Sequence, residues 1–140
     1  MATFYAKGIQ DALEAVTGVA AAPTGTLKLA FMATSYTADA EADQYWSDIS
    51  ASQASGTTSQ TVASTAVNID TSNNRVEIDF DDVTETPVTA STDKVVLYMD
   101  TGTPATSVLI CCADISTTLS PVAGDLTLAV NAEGLAAINY

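Results

Sequence analysis

From residue 26 onward the chain keeps a period of two in short, interrupted runs, and that period constrains the fold more than any other feature. Leu27, Leu29 and Phe31 alternate with Lys28, Ala30 and Met32; later, Val76, Ile78 and Phe80 alternate with Arg75, Glu77 and Asp79. Neighbouring side chains on a strand point to opposite faces, so these runs read as half-buried strands. Val67 and Ile69 form a matching run ahead of Ser72, Asn73 and Asn74, whose side chains suit a tight turn, so the pair predicts a hairpin. Residues 94–99 and 107–115 are apolar on both faces, which places them in the centre of a sandwich or beneath a partner. Residues 125–130 and 135–140 read as a last pair of strands across Asn131, Glu133 and Gly134. Many short strands separated by turn signals predict an all-β protein, an antiparallel β-sandwich or jelly-roll-like barrel.

The amino-terminal residues keep a different period. Over residues 3–17, Phe4, Ile9, Ala12, Leu13 and Val16 recur at near-helical spacing, and Gly18 follows as a stop. The spacing predicts one short amphipathic helix, weakened in its first turn by Gly8. Residues 20–25, with Pro23, read as a connector. The chain of 140 residues therefore divides into an N-terminal helix and connector arm, 1–25, and a single β-sandwich domain, 26–140.

Composition narrows the chemistry. With no histidine in the chain, Ser-His and Cys-His nucleophile pairs and most zinc sites are excluded. The 17 Asp and Glu leave a carboxylate pair open in principle, but no spacing singles one out, and most read as a solvated face. Asp79, Asp81 and Asp82 lack the glycine of a calcium loop, so no metal and no cofactor is expected. Asp100, Thr101 and Gly102 follow an apolar run as in a retropepsin-type aspartic protease half-site. The chain after them is too short for a flap and a substrate cleft, and Pro104 completes ordinary turn chemistry. The sequence predicts a turn there and no enzyme.

A net charge of −13, with only Lys7, Lys28, Arg75 and Lys94 positive, argues against nucleic acid and against an anionic membrane surface. No apolar run approaches a bilayer span, and Asp11 and Glu14 interrupt the only candidate for a secretory signal, so cytoplasmic synthesis is expected. Cys111 and Cys112 are adjacent, and a bridge between strand neighbours is strained, so they read as small buried hydrophobes. Two long connections stand out. Residues 35–50 set Asp39, Glu41, Asp43 and Asp48 around Tyr45 and Trp46; residues 50–66 carry no charge. Trp46 reads either as an aromatic anchor in an interface or as a plug at one end of the core.

Two stretches carry a resemblance. LKLAFMATSYTADAEADQYWSDI, residues 27–49, and KVVLYMDTGTPATSVLICCADI, residues 94–115, resemble a family of small tailed-bacteriophage structural proteins. In that family an early strand leads into a Ser/Thr-Tyr-Thr-x-Asp loop, and a late hairpin carries Tyr-x-Asp-Thr-Gly-Thr before a Ser-x-Leu-Ile strand. Tyr36, Thr37, Asp39, Tyr98, Asp100, Thr101, Gly102, Ser107, Leu109 and Ile110 occupy the matching places. The chain departs from the pattern in its longer helical amino terminus and in the Cys111–Cys112 strand.

The resemblance implies a decoration or cement protein on the capsid exterior that bridges neighbouring major capsid subunits, with a homodimer or homotrimer adding avidity. The contact elements expected are the amino-terminal segment with Phe4 and Tyr5, the loop with Tyr36, Tyr45 and Trp46, and the uncharged loop. The alternatives are a virion-borne carbohydrate- or receptor-binding module that stacks sugars on Tyr36, Tyr45 and Trp46 and, behind it, the protease centred on Asp100.

Overall fold

The computed structural model describes residues 2–130 and 134–139. In chain order the elements are β1 (Ala2–Phe4), α1 (Ala6–Thr17), β2 (Thr26–Ala33), α2 (Trp46–Ile49), β3 (Gln60–Thr61), β4 (Ala66–Asp70), β5 (Arg75–Asp79), β6 (Val83–Val88), β7 (Thr92–Asp100), β8 (Val108–Leu119), β9 (Gly124–Leu128) and β10 (Ala136–Asn139). Short 3-10 turns cover Ser50–Ser52 and Pro104–Thr106. The protein is mostly β, with antiparallel pairing throughout, as the period of two predicts.

A five-stranded sheet in the order β1-β8-β7-β2-β3 is the spine, and both its faces are covered. Leu29, Phe31, Val95, Leu97, Cys111 and Ala113 point to one face, where the β10-β5-β4 and β6-β9 sheets supply Phe80, Val83, Val88, Leu126, Leu128 and Ala136. The alternate residues Ala30, Met32, Val96, Tyr98 and Cys112 point the other way into a second core, closed by Tyr5, Tyr36 and Ile49. Strands buried on both faces carry apolar side chains on both, which is why the centres of β7 and β8 read as two-sided apolar runs; β2, read as half-buried, is covered on both faces as well. Cys111 and Cys112 divide accordingly, one thiol in each core, and both are free. Burial pushes their pKa values up, to about 12 for Cys111 and about 11 for Cys112.

One irregularity keeps that division consistent. Leu97 pairs with Cys111 but Tyr98 pairs with Leu109, so Ile110 is an extra residue in β8. Without this bulge Leu109 and Cys111 would share a face; with it, Leu109 joins Tyr98 in the second core.

The structure departs from the sequence expectations at both ends of the chain and in the uncharged connection. Residues 2–4 are a strand paired with β8, not the first turn of a helix, and the fully buried Tyr5 follows it. Residues 2–4 are therefore an edge strand of the five-stranded sheet. The last two strands do not pair with each other: β9 joins β6 and β10 joins β5. The turn expected at Asn131 and Glu133 lies outside the described residues. The ladder of β6 skips from Glu85 to Val88, and Pro87, which has no N–H to donate, sits in the gap. The uncharged connection is laid against the main sheet instead of looping free: the Ala54 N–H donates to Phe31 O at 2.8 Å, the Val62 N–H donates to Leu27 O at 3.1 Å, and both side chains are buried.

Candidate functional site

The Asp100 turn closes on itself. The carboxylate lies 2.6 Å from Lys28 Nζ and accepts from the Gly102 N–H at 2.9 Å and the Ser107 hydroxyl at 3.3 Å. Lys28 and then the Gly102 N–H hold its carboxyl below the usual range, and Gly102 takes the positive φ of 86° that the turn requires. These contacts tie the β7–β8 turn to β2 and are those of a turn anchor.

The aromatic residues expected to make contacts are mostly occupied inside the fold. Tyr5 is 0% exposed, and its hydroxyl lies 2.7 Å from that of Tyr36, itself 8% exposed, which donates to Asp43 Oδ2 at 2.8 Å. Burial first, and this hydrogen-bonded chain second, raises the Tyr5 phenol far above its ordinary value; burial also raises Tyr36. The structure takes both off any accessible surface. They clamp the 35–44 loop to the second core, with Asp43, whose role the sequence did not signal, as the outer end.

Trp46 stacks on Tyr98 with ring centroids 4.6 Å apart and planes 3° from parallel. Local bonding fixes this pose: the Trp46 N–H donates to Ser107 O at 2.8 Å, the Leu109 N–H donates to Gln44 O at 3.0 Å, and Asp48 accepts from the N–H groups of Tyr45 and Gln44. Of the two readings of Trp46, the geometry matches the plug, since one ring face is covered by Tyr98 and the side chain packs on the second core. Phe4 is half-buried against the first core, and Tyr45 is half-buried beside Lys7 and Asp11 in an open groove of about 550 Å³. A planar stacking platform built from Tyr36, Tyr45 and Trp46 is not what the fold presents.

The apolar surface left open lies elsewhere. Helix α1 buries none of its side chains completely. Gly8 brings it onto β8, where an added Cβ would stand 2.5 Å from Leu109 O, and Ala12, Ala15 and Pro23 line the cleft between helix and sheet. Gly8 and Ala15 are the half-buried small residues of the helix, and the large ones face out: Ile9, Leu13 and Val16 are 43%, 61% and 86% exposed, and Val19 beyond the helix is 76% exposed. Their i, i+4, i+7 spacing sets the three helical residues in one stripe. The spacing was legible in the sequence, but the direction in which the stripe points was not.

Charge completes the surface. All four Lys and Arg side chains already pair with carboxylates of the same chain: Lys7 with Asp11, Lys28 with Asp100, Arg75 with Asp70 and Glu77, Lys94 with Asp93. Among the described residues no cluster of carboxylate and thiol groups has metal-site geometry, and no helix is long and apolar enough to cross a membrane. Comparison with protein families, with curated proteins and with solved structures finds no match to the chain.

Proposed function

We propose that this protein is a virion structural protein that binds the outer surface of a phage capsid and cements neighbouring major capsid subunits. The observation that carries the reading is the outward stripe of α1, an apolar docking face on a strongly acidic domain whose own cations are all engaged. The family resemblance in residues 27–49 and 94–115 supports it from the sequence side.

The mechanism follows from the energetics of that face. A fully buried Leu, Ile or Val side chain contributes about 1.5–3 kcal/mol, so the stripe on one copy supplies several kcal/mol before association costs are subtracted. That is a modest contact for one molecule. Repetition over a symmetric shell, with copies bridging adjacent subunits or linked to each other, makes release slow because all contacts must open together. The partner surface complementary to a chain of this charge is apolar at its centre and basic at its rim.

Co-sedimentation with shells that lack the protein tests this, comparing wild type with the double variant Leu13→Lys, Val16→Lys. Both positions are largely exposed, so the variant folds, and circular dichroism verifies that. Binding by wild type and its loss in the variant is the expected result. A wild-type protein that leaves the shells in the supernatant refutes the cement assignment; equal binding by the variant moves the contact away from α1.

A further inference from the structure

Strand β4 is bonded to β5 along one edge, and among the described residues no strand meets its other edge. The outward N–H and C=O groups of such an edge are a template for another strand, and proteins usually blunt it with Lys, Pro or a bulge. β4 has none of these. Its sequence is Ala-Val-Asn-Ile-Asp, its register with β5 is unbroken, and Val67 and Ile69 are 68% and 70% exposed. Ile69 stands in one cross-strand row with Val76 and Ile138, the last 49% exposed, and Val67 in the next row with Ile78 and Ala136. The apolar face of this sheet thus runs out to an open edge.

We propose that β4 pairs antiparallel with β4 of a second copy of this chain about a two-fold axis at Asn68, joining two three-stranded sheets into one of six strands. The sequence selects that register. With the axis at Asn68, Val67 lies opposite Ile69 of the second copy and Ile69 opposite its Val67, while Ala66 lies opposite Asp70, so no carboxylate faces a carboxylate. Moving the axis to residue 69 sets Val67 opposite Thr71, and moving it to residue 67 sets Ile69 opposite Thr65. A one-residue slip of the pairing sets Val67 opposite Asp70 and mixes the two faces. The Asn68 register alone joins both apolar rows, giving Ile138, Val76, Ile69 and then Val67, Ile78, Ala136 of the second copy without a break.

The interface is small, five residues a side, and each copy carries a charge of −13. The dimer is therefore weak in dilute solution, strengthens as salt screens the repulsion between copies, and fills where copies are crowded together. This pairing stands apart from shell binding, because it uses a different element from α1 and is read in solution without a capsid.

Sedimentation velocity over a concentration series of the full chain, at low and at high salt, tests it. Wild type is expected to show a monomer–dimer equilibrium that high salt shifts toward dimer. Ile69→Lys and Val67→Glu each abolish the dimer, and mixing the two variants restores it, because the introduced amine and carboxylate face each other across one arm while Val67 and Ile69 meet across the other. Asn68→Cys places two thiols on the axis at a Cα spacing of about 4.5–5.5 Å, within disulfide range, and is expected to give one covalent dimer under oxidation while Cys111 and Cys112 stay buried. A protein that stays monomeric at every concentration, a dimer untouched by Ile69→Lys, or a dimer dissolved by Leu13→Lys instead, overturns the proposal. So does failure of Asn68→Cys to cross-link while wild type dimerises.

Discussion

Replacing Gly8 by Ala reads out how α1 is seated, because two effects of opposite sign meet at that residue. At a solvent-facing helix position the change stabilises by about 1 kcal/mol, since Gly has more backbone freedom to lose. Here the added Cβ would lie 2.5 Å from Leu109 O and 3.1 Å from Ile110 Cα, well inside the 3.4 Å at which ordinary contact begins. Leu109 is fully buried next to the β8 bulge and has no room to give. The helix must therefore retreat, widening the cleft that Ala12, Ala15 and Pro23 line. Overpacking of this kind costs about 1–3 kcal/mol, so after the propensity gain of about 1 kcal/mol the expected change is a net loss of up to about 2 kcal/mol. For a domain of this size that lowers Tm by up to roughly 8 °C. Urea unfolding followed through Trp46 fluorescence gives the free energy, and hydrogen exchange localises it: α1 amides are expected to exchange faster while β7 and β8 stay protected. A variant more stable than wild type by about 1 kcal/mol, as at an exposed helix glycine, would refute the account, for it would show that α1 does not lie on β8 at Gly8.

Tyr36→Phe removes the link between Tyr5 and Asp43 and leaves a buried phenol short of a partner; a loss of about 1–3 kcal/mol in chemical denaturation is expected. Trp46→Ala forfeits the stack on Tyr98 and is expected to cost about 2 kcal/mol, less than a fully buried aromatic because Trp46 is half-exposed. Both thiols and the phenols of Tyr5 and Tyr36 are raised in the folded state, so their stabilisation is present at neutral pH and is lost as pH climbs from about 9, where the unfolded thiols ionise. Stability measured from pH 7 to 11 should fall, and Cys111→Ala should make that fall shallower. Asp100→Asn breaks the pair with Lys28 and is expected to lower stability by under about 1 kcal/mol; because the folded carboxyl is held below its ordinary value, the difference from wild type shrinks as pH drops through 4.

The parts of the fold legible in the sequence are those with local causes. The β4–β5 hairpin follows from Asp70, whose carboxylate accepts from the N–H groups of Ser72 and Asn73, and from Asn74 at a φ of 53°. The central place of β7 and β8 follows from their two-sided apolar pattern. What was not legible depended on pairing at a distance. Nothing in residues 2–4 distinguishes the first turn of a helix from an edge strand; the free edge of β8 decides it. Gly8 looked like a flaw in a helix and is the residue that lets the helix approach β8. Tyr5, Tyr36 and Trp46 have the composition of a binding surface, yet Tyr98 and Cys112, remote in sequence, share their core, and Asp43 accepts from the Tyr36 hydroxyl, so all three are drawn inward.

The same inward draw explains why the candidate surfaces lie where they do. A sheet covered on both faces has no apolar surface left to offer, so its strands β2, β7 and β8 specify the fold and little else. Two groups of the large side chains that stay in water sit on elements held by small contacts: α1 on the spine through Gly8 and the alanines of the cleft, β4 on β5 through a single hairpin ladder. Substituting Leu13 or Ile69 therefore removes no core packing, and each tests one surface with the other intact. If both surfaces act, the two differ in salt dependence. An acidic face meeting a basic rim weakens as ionic strength rises, whereas two acidic copies joined through an uncharged edge strengthen. Shell binding and self-association measured across the same salt series should move in opposite directions, and parallel movement would mean that one surface serves both contacts.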